Sequence, residues 1–243
     1  MINVFRVPLG PVRCDDVSRK MLHETFSPLL SSNNCRHIVT LNMYMVNAAL
    51  KDTELLACIN EAACVVADSS GISAAVRFLY GRRIEHIPGI ELLDFLCAHA
   101  DGRSVYLLGA APGVAEKAAR ALMDKYPGLR VCGTRDGYFT ADQEPGIIED
   151  IRARRPDIIL AALGMPRQEM WLYAHRKMLG TPLVMGVGGS FDVIAGNLRR
   201  APRLMQRFSL EWLYRCIQEP QRFIRLIHET ARFAFNILRM KLI

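Results

Sequence analysis

PDIILAALGMPRQEMWLYAHRKMLGTPLVMGVGGSFD, residues 156–192, reads as one strand–helix–strand unit. Asp157–Leu163 is a nearly continuous apolar run with no polar alternation, as expected of a strand covered on both faces. Arg167–Leu179 has helical composition and length, and Pro182–Val187 is a second apolar run. Gly186-Val-Gly-Gly-Ser-Phe-Asp192 closes the unit where a parallel strand would end. Glycines there let a backbone approach a ligand closely.

Outward from this unit the pattern repeats. Ile2–Val7, His37–Leu41, Cys64–Ala67, Ser104–Leu108 and Leu129–Gly133 read as further strands. Helical segments fall between them at Val17–Leu30, Thr53–Ala62, Ile72–Tyr80, Ile90–Ala100, Pro112–Tyr126 and Ala141–Arg154. Apolar strands alternating with helices predict an α/β fold, a doubly wound, largely parallel, Rossmann-like sheet with ligands at the carboxyl ends of its strands. The composition changes near Asn197, which divides the chain into an α/β domain over 1–196 and a helical appendage over 197–243. Two helices are expected in the appendage, Arg203–Ile217 and Gln221–Lys241, separated by Glu219-Pro220.

The appendage holds the whole charge imbalance. It carries ten Arg and Lys against three Glu, a surplus equal to the chain's formal net charge of +7, so the rest is neutral. Such a tail implies an anionic partner: a nucleic acid, a phosphorylated small molecule or an anionic membrane. In the last helix Arg222, Arg225, Glu229, Arg232, Asn236 and Arg239 form one polar stripe amid a wide apolar surface. That suits a membrane interface, or equally a helix packed on the core with solvated arginines. Seven scattered cysteines without a CxxC pair read as reduced, buried thiols of a cytoplasmic protein. Arg6, Arg13, Asp15 and Asp16 leave no room for a signal-peptide apolar core, and no run is long enough to span a membrane.

Candidate chemistry clusters at strand ends. Asp68 follows Cys64–Ala67 and suits a general base, or equally an N-cap for the next helix. Thr40 and Asn42 would lie beside it if those strands pair, and His86 sits in a plausible active-site turn. Gly109-Ala-Ala-Pro-Gly113 suits a phosphate at a helix N-terminus or an ordinary tight turn, while Asp192 can accept from ribose hydroxyls or a base edge. Neither GxGxxG nor GxxxxGK[ST] is present, which argues against a dinucleotide oxidoreductase or a P-loop enzyme. No Asp-x-Asp pair is available to hold a metal on a diphosphate, so no metal or other cofactor is expected. Leaving-group charge would fall to helix N-termini and arginines. A nucleic-acid module fits poorly, because the tail arginines alternate with apolar residues and the body has no charge surplus.

Together these residues resemble the WecG/TagA/CpsF family of bacterial glycosyltransferases. The resemblance runs through Thr40-Leu-Asn42, Ala67-Asp-Ser-Ser-Gly71, Ile87-Pro-Gly89, Leu108-Gly109, Pro112-Gly113, Gly137-Tyr-Phe139 and Pro156-Asp157. It continues in Leu163-Gly-Met-Pro-Arg-Gln-Glu169, the 186–192 glycine segment, Arg200-Ala-Pro202, Leu210-Glu-Trp-Leu-Tyr-Arg215, Glu219-Pro220, Arg222 and Arg225. It implies inverting, metal-independent transfer of a sugar from a UDP-sugar to an undecaprenyl-diphosphate-linked saccharide, on the inner face of the plasma membrane. ManNAc is the expected sugar, with UDP-ManNAcA, UDP-glucose and UDP-glucuronate as alternative donors. The products would be cell-surface polymers such as teichoic acid or exopolysaccharide, and self-association stays open.

The resemblance further implies Asp68 as base, with Thr40, Asn42 and Gln168 beside it, and His86 stays a catalytic candidate from its turn. The same resemblance matches Tyr138 to the substrate site and Arg215, Arg222 and Arg225 to arginines closing over the diphosphate, while Gly109, Gly137, Gly164, Glu169, Gly186, Gly188, Gly189 and Asp192 are further substrate-binding candidates. Two positions depart from the family pattern. Ser69 stands where many members have glycine, and His86 where many have arginine.

Overall fold

Residue 156 does precede a strand, and that strand lies well inside a sheet. The computed structural model describes residues 5–30, 34–100, 102–208 and 210–242, excluding the Arg222 side chain. In chain order the elements begin with β1 (Phe5–Leu9), β2 (Val12–Asp16), a 3-10 turn (Arg19–Met21), α1 (Leu22–Leu30), β3 (Arg36–Leu41), α2 (Met43–Ala49) and α3 (Thr53–Glu61). Next come β4 (Cys64–Ala67), α4 (Ser70–Tyr80), α5 (Gly89–Ala98), β5 (Ser104–Gly109), α6 (Val114–Lys125) and β6 (Arg130–Arg135). A 3-10 turn (Ala141–Gln143) leads to α7 (Glu144–Arg154), β7 (Ile158–Ala162), α8 (Arg167–Leu179), β8 (Leu183–Gly186) and α9 (Ser190–Ile194). The tail holds α10 (Arg203–Arg207), α11 (Glu211–Gln218) and α12 (Gln221–Leu242).

The sheet order is β1-β2-β4-β3-β8-β7-β5-β6, with every pair parallel except the β1–β2 hairpin at one edge. Successive strand residues face opposite sides of a sheet. Ile38, Val66, Leu107, Leu160 and Met185 point to one face, where Phe26, Leu92, Leu96, Ala118 and Phe191 from α1, α5, α6 and α9 cover them. Val39, Leu41, Val65 and Ala67 point to the other, beneath α2, α3 and α4. Further along that face Leu108, Ile159, Ala161 and Val184 pack with Trp171 and Ile151 of α8 and α7. Both faces are therefore covered, as the unbroken apolar runs predict.

Three features depart from the sequence expectation. Val12–Asp16 is a strand because its charges are satisfied internally. Asp15 Oδ2 accepts from Val65 N–H at 2.8 Å and from Arg13 at 2.5 Å, and Arg13 also donates to the carbonyls of Asn60, Ala62 and Ala63. The short α2 follows β3 directly, and the expected helix over 203–217 is two pieces, α10 and α11. In the tail, Leu226, Phe233 and Ile237 of α12 are buried, the last two in the cluster that also holds Met45, Val46, Ile72 and Val76 of α2 and α4. Asn47 of α2 forms a polar seam with this helix. Its Nδ2 donates to Glu229 O at 2.9 Å and Oε2 at 2.8 Å, and its Oδ1 accepts from Asn236 at 3.0 Å.

Candidate active site

Beyond β3 the chain crosses to β4 on one side, whereas β8, the other neighbour of β3, pairs with β7. Open parallel sheets have a crevice at the carboxyl ends of strands where the winding reverses. A cleft of about 570 Å³ lies there. Thr40 and Asn42 reach it from the end of β3, Asp68 from β4, Gln168 from the start of α8, and Gly188 and Gly189 from the loop after β8. His86 lines it as well, and the tail supplies Arg207, Glu211, Trp212 and Arg215.

Asp68 does not cap the helix that follows it. Ser69 occupies that position, while Asp68 Oδ1 accepts from Gly89 N–H at 2.5 Å, at the first residue of α5. A Cβ on Gly89 would stand 3.3 Å from that oxygen and 3.5 Å from the Thr40 side chain, so glycine permits the close approach. Burial pushes the Asp68 carboxyl up to about 6. The Gly89 hydrogen bond and the Arg215 charge oppose that rise, and Glu211 reinforces it.

The neighbouring groups are fixed by the backbone. Thr40 Oγ1 donates to Gly186 O at 3.3 Å. Asn42 caps α2, its Oδ1 accepting from Met45 N–H at 3.1 Å, which commits its carbonyl oxygen rather than its NH2 group. Gln168 Oε1 accepts from Gly188 N–H at 3.1 Å. His86 is shifted toward its neutral form, chiefly by burial and then by the Arg19 charge, against Glu91, Glu211 and Glu85.

Arg19 is a cleft residue that sequence reasoning missed. It pairs with Glu85 and, at 2.7 Å, with Glu91, whose other oxygen takes Arg200 of the tail at 2.8 Å. Glu91, Gln206 and Leu226 were likewise unforeseen, whereas Ser70, Met165 and Ser190 lie inside the 67–71, 163–169 and 186–192 motifs. Glu211 and Trp212 had a signal, because they lie within the Leu210–Arg215 motif. Arg19 had none, since its pairing depends on two acidic residues more than sixty positions away.

Other expected residues lie elsewhere. Gly109 and Gly137 are stitched together beside the cleft: Ala110 N–H donates to Ala162 O, and Gly137 N–H to Ala110 O. Gly109 has φ +124°, and an added Cβ there would collide with the Ala162 backbone. Tyr138 next to them is exposed, and Gly164 accepts the Gln168 N–H at the start of α8. None of these four residues lines the cleft. Glu169 is completely buried behind Gln168, and Gly186 packs against that pair. The Asp192 backbone carbonyl accepts from Asn197 and Leu198 N–H where the tail begins. Arg225 stacks over the Tyr44 ring at 5.7 Å, and the Arg222 side chain lies outside the described residues. Among the described residues no three His, Cys, Asp or Glu side chains converge as a metal-ligand set.

Comparison with known proteins decides the family. The Glycosyl transferase WecG/TagA/CpsF family model matches residues 3–243. The chain belongs to this glycosyltransferase family. Curated relatives include the N-acetylglucosaminyldiphosphoundecaprenol N-acetyl-beta-D-mannosaminyltransferases of Staphylococcus aureus strains MW2 and NCTC 8325. Each is 37% identical over 244 aligned positions, covering 98% of this chain and 94% of the relative. The protein is therefore an enzyme of glycosyl transfer, and the cleft at the β3–β8 junction is where this family member brings Thr40, Asn42, Asp68 and Gln168 together.

Proposed function

We propose that this protein transfers N-acetylmannosamine from UDP-ManNAc to an undecaprenyl-diphosphate-linked GlcNAc, with inversion and without a metal ion. The observation that carries the reading is the convergence of Thr40, Asn42, Asp68 and Gln168, distant in sequence, on one cleft that a tail arginine also enters. The names of the staphylococcal relatives support the N-acetylmannosaminyl group and the GlcNAc-diphosphoundecaprenol acceptor. The cleft volume is also within the range, roughly 300–1,000 Å³, that small-molecule sites occupy.

In the proposed step Asp68 takes the proton of the acceptor hydroxyl. The acceptor oxygen forms its bond to the anomeric carbon from the face opposite the diphosphate. The bond from that carbon to the diphosphate oxygen breaks, and UDP leaves with the electron pair. A carboxylate shifted toward neutrality is a better proton acceptor than an ordinary one and is still mostly ionised near pH 7. Thr40, Asn42 and Gln168 orient the donor, and Arg215 stabilises charge on the departing diphosphate. Asp192 and the glycine loops at Gly109 and Gly137 remain candidates for the uridine end, with Arg222 and Arg225 as further diphosphate candidates from the tail.

The test is a panel of UDP-sugars assayed with a lipid-diphosphate-linked GlcNAc acceptor, with and without EDTA. UDP-ManNAc is expected to be the preferred donor, with turnover unchanged by EDTA. Preference for UDP-glucose or UDP-glucuronate would redirect the donor assignment, and inhibition by EDTA would refute the metal-free step.

A further inference from the structure

Directly behind Gln168 lies a carboxyl group that the proposed step does not use. Glu169 is 0% exposed, and its Oε1 accepts from Gln168 Nε2 at 2.8 Å. Gln168 itself is 4% exposed yet lines the cleft, so one side of its amide faces the cleft and the rest is held by protein.

The donor pattern settles how the amide is turned. Gly188 N–H can only donate, so the Gln168 atom 3.1 Å from it must be the carbonyl oxygen. Nε2 then faces Glu169, and Oε1 of Glu169 must be an acceptor. A proton carried by Glu169 therefore belongs on Oε2, which has no hydrogen-bond partner among the described residues. Burial pushes this carboxyl up to about 7, against the Gln168 hydrogen bond. A neutral Glu169 with its Oε1 accepting satisfies Gln168 without placing a second full negative charge near Asp68.

The surrounding backbone is shaped to this pair. At Gly186, the last residue of β8, an added Cβ would come within 2.5 Å of Gln168 Nε2 and 2.6 Å of Glu169 Oε1. The carbonyl of the same glycine accepts from Thr40. Gly186 thus meets the Gln168–Glu169 pair and Thr40 at one point beneath the cleft.

We propose that Glu169 is a positioning residue, which clamps the Gln168 amide between its own Oε1 and the Gly188 N–H and so aims the remaining polar edge of that amide at the donor sugar. This assignment replaces direct substrate contact by Glu169. It rests on the cleft being the donor site, as proposed above.

The test is a comparison of Glu169→Gln, Glu169→Met, Gln168→Ala and the Gln168→Ala/Glu169→Met pair. Readouts are steady-state transfer, calorimetric binding of UDP-ManNAc and of UDP, and thermal midpoint. Glu169→Met removes the acceptor and is expected to lower kcat by roughly 10- to 100-fold, the scale of a mis-aimed contact. It should weaken UDP-ManNAc binding more than UDP binding. Glu169→Gln keeps an acceptor oxygen in place and should restore most of the loss. The double variant should be no worse than Gln168→Ala, because both substitutions remove one function.

Losses that multiply in the double variant would overturn the proposal, as would a Glu169→Gln protein that folds and is as impaired as Glu169→Met. Should Glu169→Met fail to fold, Gly186→Ala displaces the same pair and is expected to show the same selective loss of donor-sugar affinity. Wild-type protein that binds UDP-ManNAc but transfers nothing would refute the transferase step alone, leaving the binding comparison to decide the role of Glu169.

Discussion

Asp68 illustrates how one residue carries a cost in folding alongside the role proposed for it in chemistry. Its carboxyl is raised from 3.8 to about 6, so the folded protein holds this proton more tightly than the unfolded chain. Ionisation therefore opposes folding above pH 4, and the cost is complete above pH 6. Asp68→Asn should raise the thermal midpoint at pH 7.5 by roughly 2–6 °C, a gain that fades toward pH 4. The same variant should bind UDP nearly as well as wild type and transfer nothing. Calorimetry and a transfer assay check both halves, and undiminished turnover would remove Asp68 from the base role. Because Arg215 favours the ionised form, Arg215→Met should move the acid limb of kcat/KM to higher pH as well as lower its plateau. A limb that stays fixed would place Arg215 out of electrostatic reach of the base. His86 makes the complementary case. Burial and Arg19 favour its neutral form, whereas arginine holds its charge throughout. His86→Arg is expected to tighten UDP binding at pH 8 by up to about tenfold, and weaker binding would show that the neutral ring is what this cleft needs.

At the level of elements, the strands were legible where burial on both faces left unbroken apolar runs, as at Ile158–Ala162 and Leu183–Gly186. β2 was not legible, because Arg13 and Asp15 make a charged pattern whose pairing partners lie about fifty residues away. The site followed the same division. Asp68 and Thr40 could be placed from strand ends, but the inward turn of Glu169 could not, since adjacent helical residues differ by about 100° in direction. The last helix shows what composition leaves undecided. Its polar stripe suited either a membrane interface or a core-packed helix with solvated arginines, and in the fold Glu229 and Asn236 within it turn inward to Asn47, which is 2% exposed. Asn47→Ala would remove the three hydrogen bonds that Asn47 makes with Glu229 and Asn236 and should cost about 2–3 kcal/mol. Because the seam joins α12 to α2, trypsin should then cleave the tail faster than the α/β body under native conditions. Equal cleavage rates in wild type and variant would show that Leu226, Phe233 and Ile237 hold the helix without the seam.

For the whole molecule, the question is how a protein with no described helix long and apolar enough to cross a membrane would meet the lipid-linked acceptor proposed for it. The outer side of α12 carries a surface that bears on this question. Ile224, Ile227, Ala231, Phe235, Leu238 and Leu242 are exposed, at helical spacings of three and four that place them on one stripe. Phe233 and Ile237 face the body on the opposite side. Arg225, Arg232 and Arg239 flank the outer stripe, although Arg232 also pairs with Glu229, and Lys241 reaches back to Leu79 O rather than outward. An apolar stripe bordered by arginines suits the interface of an anionic bilayer. Deleting the tail is a poor test of this, because it would also uncover the core beneath Phe233 and Ile237. Phe235→Glu/Leu238→Glu changes only the outer face, where surface substitutions typically alter stability by about 0.5 kcal/mol or less. The double variant is expected to keep its thermal midpoint and its transfer to a soluble, short-chain acceptor. Its binding to phosphatidylglycerol vesicles should fall by more than about tenfold, since two apolar groups no longer leave water. Wild-type binding should also weaken as salt rises, because the arginines act through a screened potential. Unchanged sedimentation of the double variant with vesicles would move membrane contact away from α12 and leave its stripe to another partner.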